Sequence, residues 1–439
     1  MAVHDLKVIN GRLVLPDRVE KADLLIDNGR ISAILNPALS KLETASEVLD
    51  ASGFLVLPGL VDVHVHFRDP GYPAKEDFAS GSLAAAAGGV TTIVDMPNTN
   101  PPTTTPQRLQ EKIGRATQNC LVDFAFHGGP YWGEDPKGPL IECDESTIID
   151  MANQLIETGI VSFKIYMPHY EAPAIPILSP LGHLLTVHAE DPKLLSTPTD
   201  GSSFAFLASR PPEAEVQAIN HLLANPPQCG FHICHLSTAA GFRAILAAWH
   251  KGTPVTTEVT PHHLLLTVKD LAKIGPVAKS FPPLRSTTDT EALLNACLAG
   301  QIKIIASDHA PHTAEEKTSA DADFASAPAG IIGVETMLAL MYTRLVHEAE
   351  MTLHQLMCMM ALNPASWFGI RNSQWIEKGQ LEVGADADFV IFDSKAKYTI
   401  RGDALHGKAT LTPFEGWKVR GRVRQTVLGG QTIFNGEIQ

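Results

Sequence analysis

The stretch GLVDVHVHFRDPG, residues 59–71, is an apolar run that places two imidazoles and a guanidinium at alternate positions. Side chains two apart on a strand share a face, so His64, His66 and Arg68 project together while Val61, Val63 and Val65 pack outward against helices. Neutral imidazoles are common ligands for zinc, and a pair from one strand offers two bonds in a fixed geometry. An isolated HxH is a chance pair about as often as not. Its weight depends on what other strands bring to the same place.

Working outward, short apolar runs alternate with helical stretches from about Leu57 to Gly369, the signature of βα units around a parallel sheet. Eight runs read as strands: VDVHVHF (61–67), GVTTIVDM (89–96), LVDFAFHG (121–128), IVSFKIYM (160–167), LLTVHAE (184–190), GFHICHLS (230–237), PVTTEVTP (254–261) and IKIIASDHA (302–310). Eight closes a (β/α)8 barrel, whose chemistry sits where the strands end. Polar residues fall there: His64 and His66, Lys164, His188, His235 and Asp308. An open doubly wound sheet is the competing topology, but it would not bring the first and last strands to one site. One connection fits poorly. Residues 165–187, IYMPHYEAPAIPILSPLGHLLTV, carry four prolines where a crossover helix is expected, which predicts an irregular or shortened link.

Both ends read as β structure, with Asn-Gly turns at 10–11 and 28–29 and a Gly-Gly turn at 429–430. The expected organisation is a small β-sandwich domain built from residues 1–56 and 371–439, flanking a catalytic barrel at 57–370. The 439 residues, 44% hydrophobic, suffice for a sizeable core. A net charge of −14, with no basic stripe, argues against nucleic acid as a partner. No run of about eighteen apolar residues suggests a membrane span. Six cysteines without CxxC pairing read as reduced thiols in the cytoplasm.

Lys164 sits among apolar residues on a core strand, where a lysine is rare unless paired or deprotonated. Two readings carry similar weight. It reaches a carboxylate across the barrel, or its neutral amine takes up carbon dioxide and the resulting carbamate bridges two cations. In the second reading His188 and His235 hold the second cation, and Asp308 supplies an anionic ligand and a general base. A cationic site in an acidic protein, with Arg68 beside it, favours an anionic small-molecule substrate.

HVHFRDPG (64–71), DMPNTNPPT (95–103), FKIYM (163–167), VHAED (187–191), HICHLST (232–238), TPHHLLL (260–266), SDHAPHT (307–313) and TPFEGWKVRGRV (412–423) resemble segments of the amidohydrolase superfamily and, within it, the dihydroorotases. The resemblance spans nearly the whole chain. It implies two zinc ions per subunit, one held by His64, His66 and Asp308, the other by His188 and His235, with carboxylated Lys164 bridging. It also implies that Arg68, Asn98 and His312 bind the substrate carboxylate. The implied activity is reversible cyclisation of N-carbamoyl-L-aspartate to L-dihydroorotate in pyrimidine biosynthesis, with Asp308 catalytic. A homodimer and an association with aspartate transcarbamoylase are the partners it suggests. The rival readings are a hydantoinase or allantoinase, and a non-catalytic homologue that scaffolds aspartate transcarbamoylase.

The match departs from the family pattern at Phe281 in FPPLR, where many dihydroorotases have asparagine, so a polar contact to substrate is lost or passes to the backbone. Cys234 and Glu258 match positions that hold an extra metal in some relatives, and are read here as a buried thiol and a strand carboxylate. His262 and His263 remain without a role. His232, three residues before His235, is expected on the opposite strand face and reads as structural.

Overall fold

A computed structural model describes residues 3–130, 144–169, 172–319 and 323–436. Each of the eight expected runs forms a strand: Leu60–Val65, Val90–Asp95, Asp123–Gly128, Ser162–Tyr166, Leu185–His188, Phe231–Ile233, Val255–Val259 and Ile304–Ile305. They lie side by side in chain order in one sheet, every neighbouring pair parallel. The ring closes above the last ladder. Val65 bridges in parallel to His309, and the His66 amide donates to the His309 carbonyl at 2.8 Å. The result is a (β/α)8-type barrel.

Local sequence punctuates the strand-to-helix alternation. Asp77 caps the helix Phe78–Ala87, Thr105 caps Pro106–Asn119, Asp144 caps Glu145–Thr158, Thr238 caps Ala239–Trp249 and Ser286 caps Thr287–Leu298, each accepting from a backbone amide of the first turn. The proline-rich connection after the fourth strand has no full helix among its described residues. It breaks into short helical turns at Met167–His169, Ala174–Leu178 and Ser179–Leu181, because proline removes donors and clashes in a helix interior.

The ends of the chain meet. Arg12–Val14, Val19–Lys21 and Leu55–Pro58 from the start join Phe389–Thr399, Lys418–Leu428 and Gln431–Asn435 from the end in a six-stranded sheet. A second, four-stranded sheet comes from residues before position 51. Leu13, Val56, Phe389, Ile391 and Val427 pack between them with Leu24 and Ile26 in a core separate from the barrel's. Val65 joins the main barrel core, whereas Val61 and Val63 cluster with Ile304, Ala306, Ala365 and Phe368. Among the described residues, no helix is long and apolar enough to cross a membrane.

Candidate metal centre and substrate rim

The predicted residues converge at one end of the barrel because the strands stop there and the backbone turns sharply. Arg68, His235 and Asp308 have φ of 63°, 33° and 47°, a region that side chains with a Cβ enter at an expense of about 1–2 kcal/mol each. Three residues bearing the expected chemistry thus sit in strained backbone held by its surroundings. Buried Asp62 supplies part of that hold. Its Oδ1 accepts from the Ser307 amide at 3.1 Å and the His64 amide at 3.2 Å, tying the last strand to the first.

Two groups of ring nitrogens face each other. Nε2 of His64 and Nε2 of His66 each lie 3.2 Å from the same Asp308 oxygen. His188 Nδ1 and His235 Nε2 approach to 3.0 Å, and the His64 and His235 rings are 5.2 Å apart. Lys164, 7% exposed, points its Nζ at Cys234 Sγ at 2.7 Å, on the residue adjoining His235. Lys164 and Asp308 therefore face the four imidazoles, and the barrel interior holds all six groups.

Burial, opposed in part by Asp308, pushes the pKa of His66 down to about 4, and burial does the same to His188 despite Glu190. Burial and the surrounding cationic groups hold His235 well below its usual value. Neutral imidazoles with free lone pairs are the form that binds metal. His64 is the exception: burial disfavours its charge, but Glu258 and Asp308 outweigh burial and raise it to about 10. Two carboxylates flanking one buried nitrogen base create a demand for positive charge at that spot. Asp308 is kept ionised far below the usual carboxylate range, its burial overcome by His64, His66 and His262. The donor set fits divalent-cation binding, with His64, His66 and Asp308 bringing ligand atoms within 4.8 Å of one another. It comprises four imidazoles, a carboxylate and an amine able to become a carbamate. Buried His235 Nδ1 has no hydrogen-bond partner among the described residues.

A layer behind these groups was not foreseen from the sequence. Fully buried Glu190 accepts from His188 Nε2 at 2.7 Å and from the Arg210 guanidinium, which lies 3.8 Å from the centroid of the Phe281 ring. Phe281 stacks in turn near Phe206. Its aromatic ring thus roofs an ion pair behind a candidate ligand through a cation–π contact. Glu190 was visible in VHAED, two residues past His188, but Arg210 had no local signal. Similarly, buried Asp95 accepts from the Phe67 amide at 2.7 Å and pairs with buried Lys112 at 2.6 Å, anchoring the segments that carry Arg68 and Asn98.

His232 requires correction. It does not lie on the face opposite His235. Its Nε2 meets Glu258 Oε2 at 3.0 Å, while His64 Nδ1 and the His235 amide both engage Glu258 Oε1. The sixth ladder ends at Ile233 and His235 adopts positive φ, so the strict alternation that separated the two residues no longer applies. Glu258 is therefore a hub behind the first strand, and His64, Cys234 and Glu258 bring ligand atoms within 4.8 Å of one another. His263 is fixed by Thr260 Oγ1 at 2.9 Å and the Pro282 carbonyl at 3.1 Å, a structural role. Its neighbour His262 is buried near Asp308 with Nε2 unpartnered among the described residues.

At the rim, Arg68 Nη2 lies 3.2 Å from His312 Nε2, and Arg68 Nε donates to the Pro311 carbonyl at 3.2 Å. Asn98 Oδ1 accepts from His66 Nδ1 at 2.7 Å, which leaves Nε2 of that ring as the lone-pair nitrogen on the Asp308 side, free to serve as a metal ligand. A guanidinium, an imidazole and an amide thus border the candidate metal centre on one side.

Residues 214–433 match the Amidohydrolase family model, and residues 53–126 match the Dihydro-orotase-like model. A dihydroorotase of Methanosarcina acetivorans is 36% identical over 436 residues, covering 94% of this chain and 88% of its own. An allantoinase of Rubrobacter xylanophilus is 35% identical over 458 residues, covering 99% of this chain and 95% of its own. Among solved structures, the L-hydantoinase (dihydropyrimidinase) of Arthrobacter aurescens superposes with a TM-score of 0.90 at 31% identity, covering 100% of this chain and 98% of that one. Sequence, barrel and convergent donor set agree: the chain belongs to the amidohydrolase family, as a cyclic amidohydrolase.

Proposed function

We propose that the protein is a metal-dependent dihydroorotase that interconverts N-carbamoyl-L-aspartate and L-dihydroorotate. The observation that carries this reading is the Arg68–His312 pair at the rim, 3.2 Å apart and close to the donor cluster, with Asn98 on the adjoining His66. A planar guanidinium beside a second donor suits a carboxylate, which dihydroorotate has and the uncharged cyclic ureides lack. Seven of the eight relatives compared over nearly their full length are dihydroorotases.

Zinc ions held by His64, His66 and Asp308 and by His188 and His235, with carboxylated Lys164 between them, would supply Lewis acidity toward the ring carbonyl and a lowered pKa for attacking water. Carboxylation forms a bond from the Lys164 nitrogen to carbon dioxide and releases one proton. Arg68, Asn98 and His312 orient the substrate through its carboxylate, so that the ring amide faces the cluster. In the hydrolytic direction Asp308, held as a carboxylate, takes a proton from water and delivers it to the departing ring nitrogen as the carbon–nitrogen bond breaks. Cyclisation runs the same transfers backward and expels water.

The likeness to an L-hydantoinase favours a second reading, hydrolysis of uncharged cyclic ureides. A spectrophotometric assay on dihydroorotate, hydantoin and allantoin, with and without chelator, separates the two. Chelator-sensitive turnover of dihydroorotate well above the other two supports the proposal. Preference for hydantoin or allantoin overturns it.

A further inference from the structure

Lys75, in the loop between the first barrel strand and the helix Phe78–Ala87, reaches back to the rim. Its Nζ lies 3.1 Å from His312 Nδ1 and 2.7 Å from Glu316 Oε1. An ammonium group has three donors and no acceptor, so a ring nitrogen facing it at this distance can only accept. A proton on Nδ1 would instead have to face Glu316 Oε2, which stands 3.6 Å away and is engaged by the Thr313 amide at 3.0 Å. The ring is pinned elsewhere too. His312 Nε2 meets the Ala329 carbonyl at 3.0 Å, and a Cβ on Gly330 would come within 2.9 Å of His312 Cδ2.

We propose that Lys75 is a positioning residue that, together with the Ala329 carbonyl on the other side of the ring, fixes the tautomer of His312, leaving on Nε2 a proton that the substrate carboxylate beside Arg68 shares with that carbonyl. The proposal rests on the dihydroorotase reading for its substrate but not for its chemistry. Burial, reinforced by Arg68, Lys75 and Lys317 and opposed by Glu316, lowers the His312 pKa to about 3, so the ring carries a single proton at neutral pH. With that proton on Nε2, where the Ala329 carbonyl accepts it at 3.0 Å, the N–H groups of His312 and Arg68 converge with no hydrogen bond between them, and a carboxylate oxygen, the stronger acceptor, shares both. Without Lys75 only the Ala329 carbonyl holds the proton on Nε2, and part of the population can move it to Nδ1 and toward Glu316. Nε2 then becomes an acceptor for Arg68 at 3.2 Å, and the guanidinium is diverted onto the imidazole. The rim would lose one donor and the free use of another.

The test combines tautomer and kinetics. Nitrogen-15 NMR of histidine-labelled holoenzyme, with the His312 signals assigned by difference against His312→Asn, should show the proton on Nε2. In Lys75→Met it should shift wholly or partly to Nδ1. KM for dihydroorotate should rise about tenfold, the value of one hydrogen bond to a charged group, while kcat changes less. Lys75→Arg, which keeps a cationic donor, should restore both readouts. An Nδ1-protonated His312 in the wild-type enzyme overturns the proposal without recourse to any variant. So does a Lys75→Met enzyme with unchanged tautomer and KM. If the wild-type enzyme does not turn over dihydroorotate, the functional reading fails, yet the NMR measurement still decides the role of Lys75.

Discussion

Replacing Glu190 by glutamine isolates what the buried ion pair behind the metal centre does. Glu190 is fully buried, accepts from His188 Nε2 at 2.7 Å, and pairs through both oxygens with Arg210. Glutamine preserves the shape but removes the charge, and its amide hydrogens must face either the Arg210 donors or the His188 donor. Removing one partner of a buried pair costs about 3–5 kcal/mol. The Arg210 side chain keeps 12% exposure, so water offsets part of the loss and the lower end, about 3 kcal/mol, is expected. At about 2 cal/mol/K per residue, a chain of 439 residues should then lose about 3 °C in Tm. The larger effect falls on metal. A histidine ligand that loses its orienting carboxylate weakens binding about 10- to 100-fold. Metal content of the purified variant after dialysis against graded chelator, alongside calorimetry, reads both effects. The double variant Glu190→Gln/Arg210→Met should lose less than the sum of the singles, because the second change removes the charge that the first strands. Metal retention equal to wild type in Glu190→Gln would show that His188 needs no such support, and the reasoning would fail.

Asp308→Asn should lower turnover about 10²- to 10⁴-fold while preserving the fold, since asparagine tolerates the φ of 47° at this position; turnover near wild type would remove Asp308 from proton transfer. Lys164→Ala should lose bridged metal, with partial rescue by a short carboxylic acid, and two tightly held zinc ions in that variant would count against a carbamate. The chelated protein should lose stability in acid. His66, His188 and His262 are held at about 4 in the folded state against an ordinary 6.5, so their contribution is full above pH 6.5 and is lost as pH falls toward 4. His64 runs the opposite way, raised to about 10, so its contribution is full below pH 6.5 and fades as pH rises through 10. His235 and His312, also held below their usual values, add to these three and outweigh His64, and a Tm that holds steady from pH 7.5 to 5 would contradict the sign.

What could be read along the chain was whatever a local rule encodes. Short apolar runs alternating with helical stretches marked eight strands and their connections, prolines 168, 173, 176 and 180 marked the broken crossover, and ligand-type residues at strand ends marked the centre. These signals survive because each depends on neighbours within a few positions. The supporting layer depends on packing between distant segments. Lys112 finds Asp95, Arg210 finds Glu190, and Lys75 finds His312 across 237 residues, pairs for which no spacing rule exists. His232 shows the same limit from the other side. Alternation set the two imidazoles on opposite faces, but the strand ends at Ile233, and the backbone turn at His235 decided where that imidazole points. The identity of the ligands was thus local information, whereas their orientation and electrostatic support were set by the tertiary structure, because burial, charge pairing and positive φ arise only when remote strands are brought together.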